Sequence, residues 1–198
     1  MQSQSSFQWM CLLGSASVVV FVSAASGADE HVKGKWSSVF DQSVTIDAEH
    51  MILLRTGKVL LVDGDTPTFV QLFDPSTDTF GTAFPGPRDE QFEDEIHRLS
   101  CAGHVPLEDG NILFVGGDGF GTSAGNNKAT LYDPDVVWDP EEQTTPWIPQ
   151  NVCPAERYYP TLTRLGNGKV LAVAGSCGFQ DFPLKANIPN VYDVNAGM

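Results

Sequence analysis

Three copies of one short hairpin pattern constrain the fold of this chain more than any other feature. Each copy has an apolar strand, a turn that ends in glycine and a second apolar strand, and the turn glycines are Gly57, Gly110 and Gly168. They lie 53 and 58 residues apart. The Asp-Gly and Asn-Gly turns of the second and third copies supply the positive φ angles that tight hairpins require. The repeat therefore predicts an all-β chain.

A third strand in each copy ends in a recurring signature. The three versions are Phe73-Asp74-Pro75, Tyr132-Asp133-Pro134 and Tyr192-Asp193-Val194. The period is close to the value of about 50 residues that is typical of kelch repeats, which predicts a kelch-type β-propeller with repeats near 46–80, 101–138 and 159–195. A β-sandwich also has short strands between turns, but the three-fold repetition disfavours it.

The number of copies predicts an incomplete ring. Complete propellers have about four to eight blades, whereas 198 residues hold about three copies. We expect part of a seven-bladed ring, and a chain that is the front portion of a longer protein. An open arc of blades leaves strand edges unpaired, which favours aggregation.

The first 28 residues are predicted to be a signal peptide. An apolar stretch from Cys11 to Ala25 is followed by small residues that suit a peptidase near Ala25 or Ala28. No Lys or Arg precedes it, and it is shorter than the roughly 20 apolar residues of a spanning helix. An uncleaved anchor is the alternative. The prediction is a secreted, extracellular protein whose propeller part is 29–198, with no membrane contact after cleavage.

The charge of the chain argues against several partners. Eleven basic residues stand against 25 acidic ones, for a formal charge of −14, which opposes binding to nucleic acid and to anionic membranes. The acidic run at 89–95, beside His97, lacks the alternating ligand spacing of a calcium loop. We interpret it as a solvated loop.

Two chemically notable residues share a position in successive repeats. Cys101 and Tyr159 each precede their turn glycine by nine residues, so the fold is expected to bring them side by side. Alternation along a strand would send Tyr158 to the opposite face, which favours Tyr159 as the partner of Cys101. The plain alternative is that both are packing residues, since cysteine is often buried and tyrosine is common in strands.

The cysteine count leaves two possibilities open. Removal of the signal peptide takes Cys11 away and leaves Cys101, Cys153 and Cys177, an odd number in an oxidising compartment. If Cys101 bonds to a residue other than cysteine, Cys153 and Cys177 can form a disulfide. The two can equally pair while Cys101 stays a buried thiol.

Two segments resemble the galactose oxidase and glyoxal oxidase family of copper radical oxidases. They are Cys101-Ala102-Gly103-His104 before a Leu-x-x-Gly turn, and Glu156-Arg157-Tyr158-Tyr159-Pro160-Thr161 at the start of the next repeat. The similarity extends over about 36–193 and is closer to the glyoxal oxidase-like branch. Tyr158 occupies a position where that branch has tryptophan.

The resemblance implies a cofactor and a reaction. It implies that Cys101 and Tyr159 are joined by a thioether, and that Tyr159 binds copper and carries a radical. The implied substrates are a small aldehyde or a primary alcohol, including carbohydrates, and O2, with H2O2 as a product. Arg157 could hold a substrate oxygen or form a salt bridge. His50 and His104 are not assigned to copper and are expected to hydrogen bond in the interior.

The sequence also departs from the family. It contains no Tyr-His pair and no distal copper-binding histidine, so the copper site is incomplete and this chain is expected to be inactive as it stands. Cys177 lies where galactose oxidase has a tryptophan stacked on the radical. Two hypotheses follow: the chain is part of a secreted copper radical oxidase, or it is a non-catalytic kelch-repeat module that binds glycan or protein.

Overall fold

The structure of the protein is a computed structural model, which describes residues 36, 45–64, 68–89, 95–119, 124–175, 188–194 and 196. The predicted signal peptide and Cys177 lie outside these residues. All of the strands belong to the compact unit 42–198. Within the described residues there is no helix, and every strand pair is antiparallel. The all-β prediction is confirmed.

Sixteen strands follow one another in the part of the chain that the structure describes. In order they are β1 (Ala48–Leu53), β2 (Val59–Asp63), β3 (Phe69–Asp74), β4 (Thr79–Phe80), β5 (Phe84–Pro85), β6 (Arg88–Asp89), β7 (Glu95–Ile96), β8 (Gly103–Pro106), β9 (Ile112–Val115), β10 (Asp118–Gly119), β11 (Ala124–Gly125), β12 (Ala129–Tyr132), β13 (Trp147–Gln150), β14 (Thr161–Arg164), β15 (Val170–Val173) and β16 (Asn190–Tyr192).

These strands form three main sheets. The first has the order β1-β2-β3-β4, with β5 also paired to β3; the second has the order β13-β12-β9-β8; the third has the order β14-β15-β16. Two short ribbons, β6-β7 and β10-β11, complete the set. The fourth strand of the second sheet lies at Trp147–Gln150, beyond the end at Trp138 that the repeat pattern predicts.

The first hairpin of each main sheet turns in the same way. The N–H of Gly57 donates to Leu54 O at 2.9 Å, that of Gly110 to Leu107 O at 3.2 Å, and that of Gly168 to Leu165 O at 3.0 Å. The three glycines have φ of 82°, 86° and 80°, a region in which a side chain is strained. The turn glycines are therefore required by the backbone.

The second sheet is covered on both faces. Along β9, Ile112 and Phe114 belong to an apolar cluster shared with the first sheet, whereas Leu113 and Val115 belong to a cluster shared with the third. Successive side chains of a strand point to opposite faces, so one strand contributes to both clusters. All four residues are buried.

The residues that the structure describes contain no apolar helix long enough to cross a bilayer.

Candidate functional site

Cys101 and Tyr159 lie next to each other at the junction of the second and third sheets. The N–H of Tyr159 donates to the carbonyl oxygen of Cys101 at 2.9 Å. Each residue lies two positions before the first strand of its sheet, β8 or β14, and these two strands pack against each other. Packing between the sheets thus holds the backbones of the two residues in register.

The two residues share an uncommon backbone conformation. Cys101 has a φ of 59° and Tyr159 a φ of 58°, in the left-handed region that costs a non-glycine residue about 1 kcal/mol or more. Residues held in this region are frequent at functional sites. The same strained geometry therefore occurs at the same repeat position in both sheets.

Gly103 allows the close approach of the two strands. A Cβ added to Gly103 would lie 2.7 Å from Pro160 O and 3.0 Å from Leu162 Cγ, which is closer than van der Waals contact permits. Any side chain at this position would separate β8 from β14. The glycine of the Cys101-Ala102-Gly103-His104 segment therefore has a packing role.

The side chains of Cys101 and Tyr159 differ in exposure. Cys101 is 4% exposed and Tyr159 is 62% exposed. A hydrogen bond with Cys101 raises the pKa of the Tyr159 phenol. The sulfur is thus buried beside the phenol end of a ring that solvent or a further part of a site could reach.

Tyr158 also approaches Cys101, contrary to the expectation from strand alternation. The rings of Tyr158 and Tyr159 meet edge to face, with centroids 4.4 Å apart. A hydrogen bond with Cys101 raises the pKa of Tyr158, and burial adds to the effect. The alternation argument was wrong because Tyr159 precedes β14 and has a positive φ, so the pleat of a strand does not apply to this pair.

Arg157 is part of the scaffold under this site. Its side chain has no exposed surface, and its guanidinium donates to Ala174 O, to Ile188 O at 2.6 Å and to Asn190 Oδ1 at 2.6 Å. These acceptors lie at the end of β15 and the start of β16. A substrate-binding role does not fit a fully buried side chain, so the structural interpretation of Arg157 is the better one.

His50 and His104 form a half-buried aromatic pair. Their rings meet edge to face with centroids 5.2 Å apart, and His50 Nε2 lies 3.2 Å from Leu99 O. Burial lowers the pKa of His104 to about 4, with a contribution from His50, so this imidazole is neutral at pH 7. His104 Nδ1 has no hydrogen-bond partner within the described residues, whereas His50 Nε2 has the expected hydrogen-bond partner in Leu99 O.

The donor set around Cys101 fits copper in part. Tyr159 offers an accessible phenol oxygen, which is an acceptable copper ligand. Among the residues that the structure describes, no group of three or more His, Cys, Asp or Glu side chains could hold a metal ion. The described residues therefore contain no such group, and copper binding by Tyr159 stays a prediction.

His97, next to the acidic run, is a buried structural residue. Its Nδ1 lies 2.7 Å from Thr130 Oγ1 and its Nε2 lies 2.8 Å from Gly116 O. The carbonyl can only accept, so Nε2 carries the proton and Nδ1 accepts from the hydroxyl. The imidazole ties the chain before β8 to the second sheet, and residues 90–94 of the acidic run lie outside the described residues.

Cys153 is buried as a thiol between the second and third sheets. Its Sγ lies 3.6 Å from Asn190 Oδ1. Because Cys177 is not among the described residues, the Cys153–Cys177 disulfide stays a prediction. Cys153 also lines a cavity of about 580 Å³, together with Gln150, Asn190 and Tyr192.

Glu49 is a residue of this site that the sequence patterns did not indicate. Its Oε2 accepts the backbone N–H of Cys101 at 3.0 Å. The available signal was a charged residue directly after Ala48, the position in the first repeat that corresponds to Cys101 and Tyr159. Spacing alone gives no reason to select it.

Comparison of the structure with solved proteins finds similar folds at low sequence identity. A novel fungal alcohol oxidase of the AA5 family, in complex with copper, matches 74% of this chain with 20% identity and a TM-score of 0.53. The match covers 28% of that oxidase, so this chain spans less than a third of its length. At this identity the match shows a shared fold.

Two other structures match more weakly. They are YjhT, with 13% identity over 79% of this chain and 48% of its own, and the intramolecular trans-sialidase from Ruminococcus gnavus, with 11% identity over 81% of this chain and 35% of its own. Both have a TM-score of 0.46. No protein-family model matches the sequence, and no curated protein matches it.

Proposed function

We propose that this chain contributes Cys101 and Tyr159 to the active site of a secreted copper radical oxidase built on a kelch-type β-propeller. The observation that carries the proposal is the placement of a buried sulfur beside an exposed phenol, at equivalent and equally strained positions of neighbouring sheets. The fold shared with a copper-containing alcohol oxidase supports it. The reaction class is the oxidation of a primary alcohol or an aldehyde by O2, which yields H2O2.

The three sheets are consistent with blades of such a propeller. Each begins with a hairpin of the same turn geometry, and the second packs face to face against both of the others. Stacked sheets of this kind are the building unit of propellers. In this interpretation the start of the first strand of each blade carries the active-site residues.

The chemistry of the pair requires a net loss of two hydrogens. One S–H bond of Cys101 and one ring C–H bond of Tyr159 break, and one C–S bond forms between the residues. Dioxygen accepts the two electrons and the two protons and becomes H2O2, so the atoms and electrons balance. A phenol with an ortho sulfur is easier to oxidise than tyrosine, which suits Tyr159 to redox chemistry.

The residues of this chain prepare that chemistry by geometry. Gly103 lets β8 approach β14. The backbone hydrogen bond from Tyr159 to Cys101 fixes the distance between the two residues, and burial shields the thiol from solvent. Copper, when bound through the Tyr159 oxygen, would supply one-electron redox chemistry next to the phenol. Holding these groups in register is the contribution expected from a protein to a metal cofactor.

The proposal is tested by intact mass after incubation of the protein with copper and oxygen. Full reduction before the measurement ensures that a disulfide does not contribute. We expect the loss of two hydrogens in the wild-type protein and no loss in Cys101→Ser. The matched control is Cys153→Ser, which removes another buried thiol and should retain the loss.

The opposite result would remove the oxidase assignment for this chain. If folded, copper-loaded wild-type protein keeps its full mass, the thioether does not form and the non-catalytic kelch module becomes the better description.

A further inference from the structure

A β-bulge directs Glu49 out of the regular pattern of β1. Ala48 pairs with Asp63 and His50 pairs with Val62, so Glu49 is an additional residue between two consecutive partners on β2. Bulges turn a side chain in a new direction and are common next to active sites. The backbone of the first sheet is thus shaped locally at the residue that reaches Cys101.

The carboxylate of Glu49 contacts both hydrogen-bond donors of Cys101. Oε2 accepts the backbone N–H at 3.0 Å, and Oε1 lies 3.6 Å from the thiol sulfur, in position to accept its proton. A carboxylate has two oxygens that only accept. One side chain therefore fixes the backbone and the S–H direction of Cys101 together.

Gly64 leaves the space that Glu49 occupies. A Cβ added at Gly64 would lie 3.3 Å from Glu49 Cδ and 3.4 Å from Glu49 Oε2. The N–H of Gly64 donates to Asp47 O at 3.1 Å, which closes the β1–β2 pair next to the bulge. The Glu49 side chain is exposed, and the end of β2 lies behind its carboxylate.

The strain at Cys101 makes this anchor significant. With a φ of 59°, Cys101 needs surrounding contacts to hold its backbone in the left-handed region. Hydrogen bonds to an ionised acceptor are about twice as strong as neutral ones. The hydrogen bond from the Cys101 N–H to Glu49 supplies such a contact, in addition to the one that the Cys101 carbonyl accepts from Tyr159.

We propose that Glu49 is a positioning residue that holds the Cys101 sulfur against Tyr159 for formation of the thioether. The inference rests on the proposed function. It adds a group from the first sheet to a site built from the second and third, so three consecutive sheets meet at one sulfur. The S–H bond that breaks during cross-linking is the bond directed at Glu49.

The first test needs neither copper nor turnover. Protein labelled with ¹⁵N-cysteine and free of copper gives an amide signal for Cys101, whose exchange with solvent reports the bond to Glu49. We expect Glu49→Ala to shift that signal and to increase its exchange about tenfold or more, because a hydrogen bond to a charged group is lost. Glu49→Gln keeps one acceptor oxygen, so its Cys101 amide should exchange at a rate between those of wild type and Glu49→Ala.

The second test measures the rate of the two-hydrogen loss in the same variants. Glu49→Ala should slow it about tenfold or more, Glu49→Gln should restore part of the rate, and Glu142→Ala, at an exposed turn, should match wild type. Thermal unfolding of each variant shows whether the slowing exceeds any loss of fold.

The outcomes separate the inference from the function. If wild type cross-links and Glu49→Ala does so at the same rate, Glu49 is not a positioning residue and the oxidase proposal stands. An unchanged Cys101 amide in Glu49→Ala likewise rules out the positioning role. If wild type itself never cross-links while Glu49→Ala exposes the Cys101 amide, the contact stands as a structural anchor and the oxidase proposal falls.

Discussion

At the scale of single residues, one sulfur is shared by two phenols. Both Tyr158 and Tyr159 hydrogen bond to Cys101, but only the backbone of Tyr159 is bonded to that of Cys101. We therefore expect Tyr159→Phe to abolish the loss of two hydrogens and Tyr158→Phe to retain it. Peptide mapping by mass spectrometry after copper treatment identifies the linked residue. Loss of the cross-link in Tyr158→Phe alone would assign it to Tyr158.

His97 predicts a dependence of stability on pH. Burial lowers its pKa from 6.5 to about 4, opposed by a weaker effect of its bond to Gly116. Since the unfolded chain binds a proton at higher pH than the folded one, the stability contributed by neutral His97 is complete above pH 6.5. It is lost as pH falls towards 4, by about 3 kcal/mol in total.

Urea unfolding of wild type and His97→Gln between pH 7 and pH 4.5 checks this. The stability difference between the two proteins should shrink as the pH falls, because glutamine does not titrate. His104 is present in both proteins and cancels from the comparison. A difference that stays constant with pH would show that His97 is not the titrating group.

The sequence could predict the position of a candidate site residue only where the repeat spacing fixes that position. Equal distances to Gly110 and Gly168 indicated Cys101 and Tyr159 without any structure. Glu49 could not be found this way, because it reaches Cys101 through a bulge that changes the register of β1. The side of Tyr158 was assigned wrongly for a related reason, since a positive φ at Tyr159 replaces the alternation of a strand.

At the scale of strands, the site depends on the contact between β8 and β14. Gly103→Ala would place a methyl group 2.7 Å from Pro160 O, and this backbone oxygen cannot move away cheaply. We expect a loss of about 1–3 kcal/mol in stability and a slower cross-link, because the strands that directly follow Cys101 and Tyr159 would separate. Chemical denaturation and the rate of mass loss measure the two effects.

Gly166→Ala is a suitable control for this change, because a Cβ there has no heavy atom within 4 Å. If Gly103→Ala cross-links as fast as Gly166→Ala, the close approach of the strands is not needed for the pair.

Arg157 links the loop before β14 to β15 and β16. Arg157→Met would remove the fully buried donor of the hydrogen bonds to two carbonyl oxygens and to Asn190 Oδ1, and hydrogen bonds made by a charged group are the stronger ones. We expect about 3 kcal/mol of destabilisation. Arg164→Met, at an exposed position of β14, should change the stability little. Urea unfolding of both variants tests the contrast, and equal effects would contradict it.

Local sequence determined the hairpins better than the outer strands. The turns at Gly57, Gly110 and Gly168 require a positive φ, and this requirement is visible in the chain itself. The outermost strand of the second sheet, Trp147–Gln150, lay beyond the predicted repeat. It is fixed by distant contacts, such as the bond from Trp147 Nε1 to Pro85 O at 3.1 Å, which residue spacing does not report.

At the scale of the whole molecule, the three cysteines of the chain without residues 1–28 give a countable prediction. If Cys101 is consumed by the thioether and Cys153 pairs with Cys177, the copper-treated protein should show no reactive thiol after denaturation. Tyr159→Phe should show one, because Cys101 is then spared. Titration with a thiol reagent in denaturant counts the reactive thiols of wild type and of Tyr159→Phe. Two reactive thiols in wild type, at Cys153 and Cys177, would show that the disulfide is absent.

The proposed thioether between the second and third sheets would affect folding stability as well as redox chemistry. A thioether from Cys101 to Tyr159 closes a loop of about 58 residues, and closing a loop of this length removes unfolded-state entropy worth about 4 kcal/mol. Formation of the thioether would therefore also raise the free energy of unfolding. A partly cross-linked preparation would then show two thermal unfolding transitions. Their relative areas in calorimetry would give the fraction of molecules that contain the thioether.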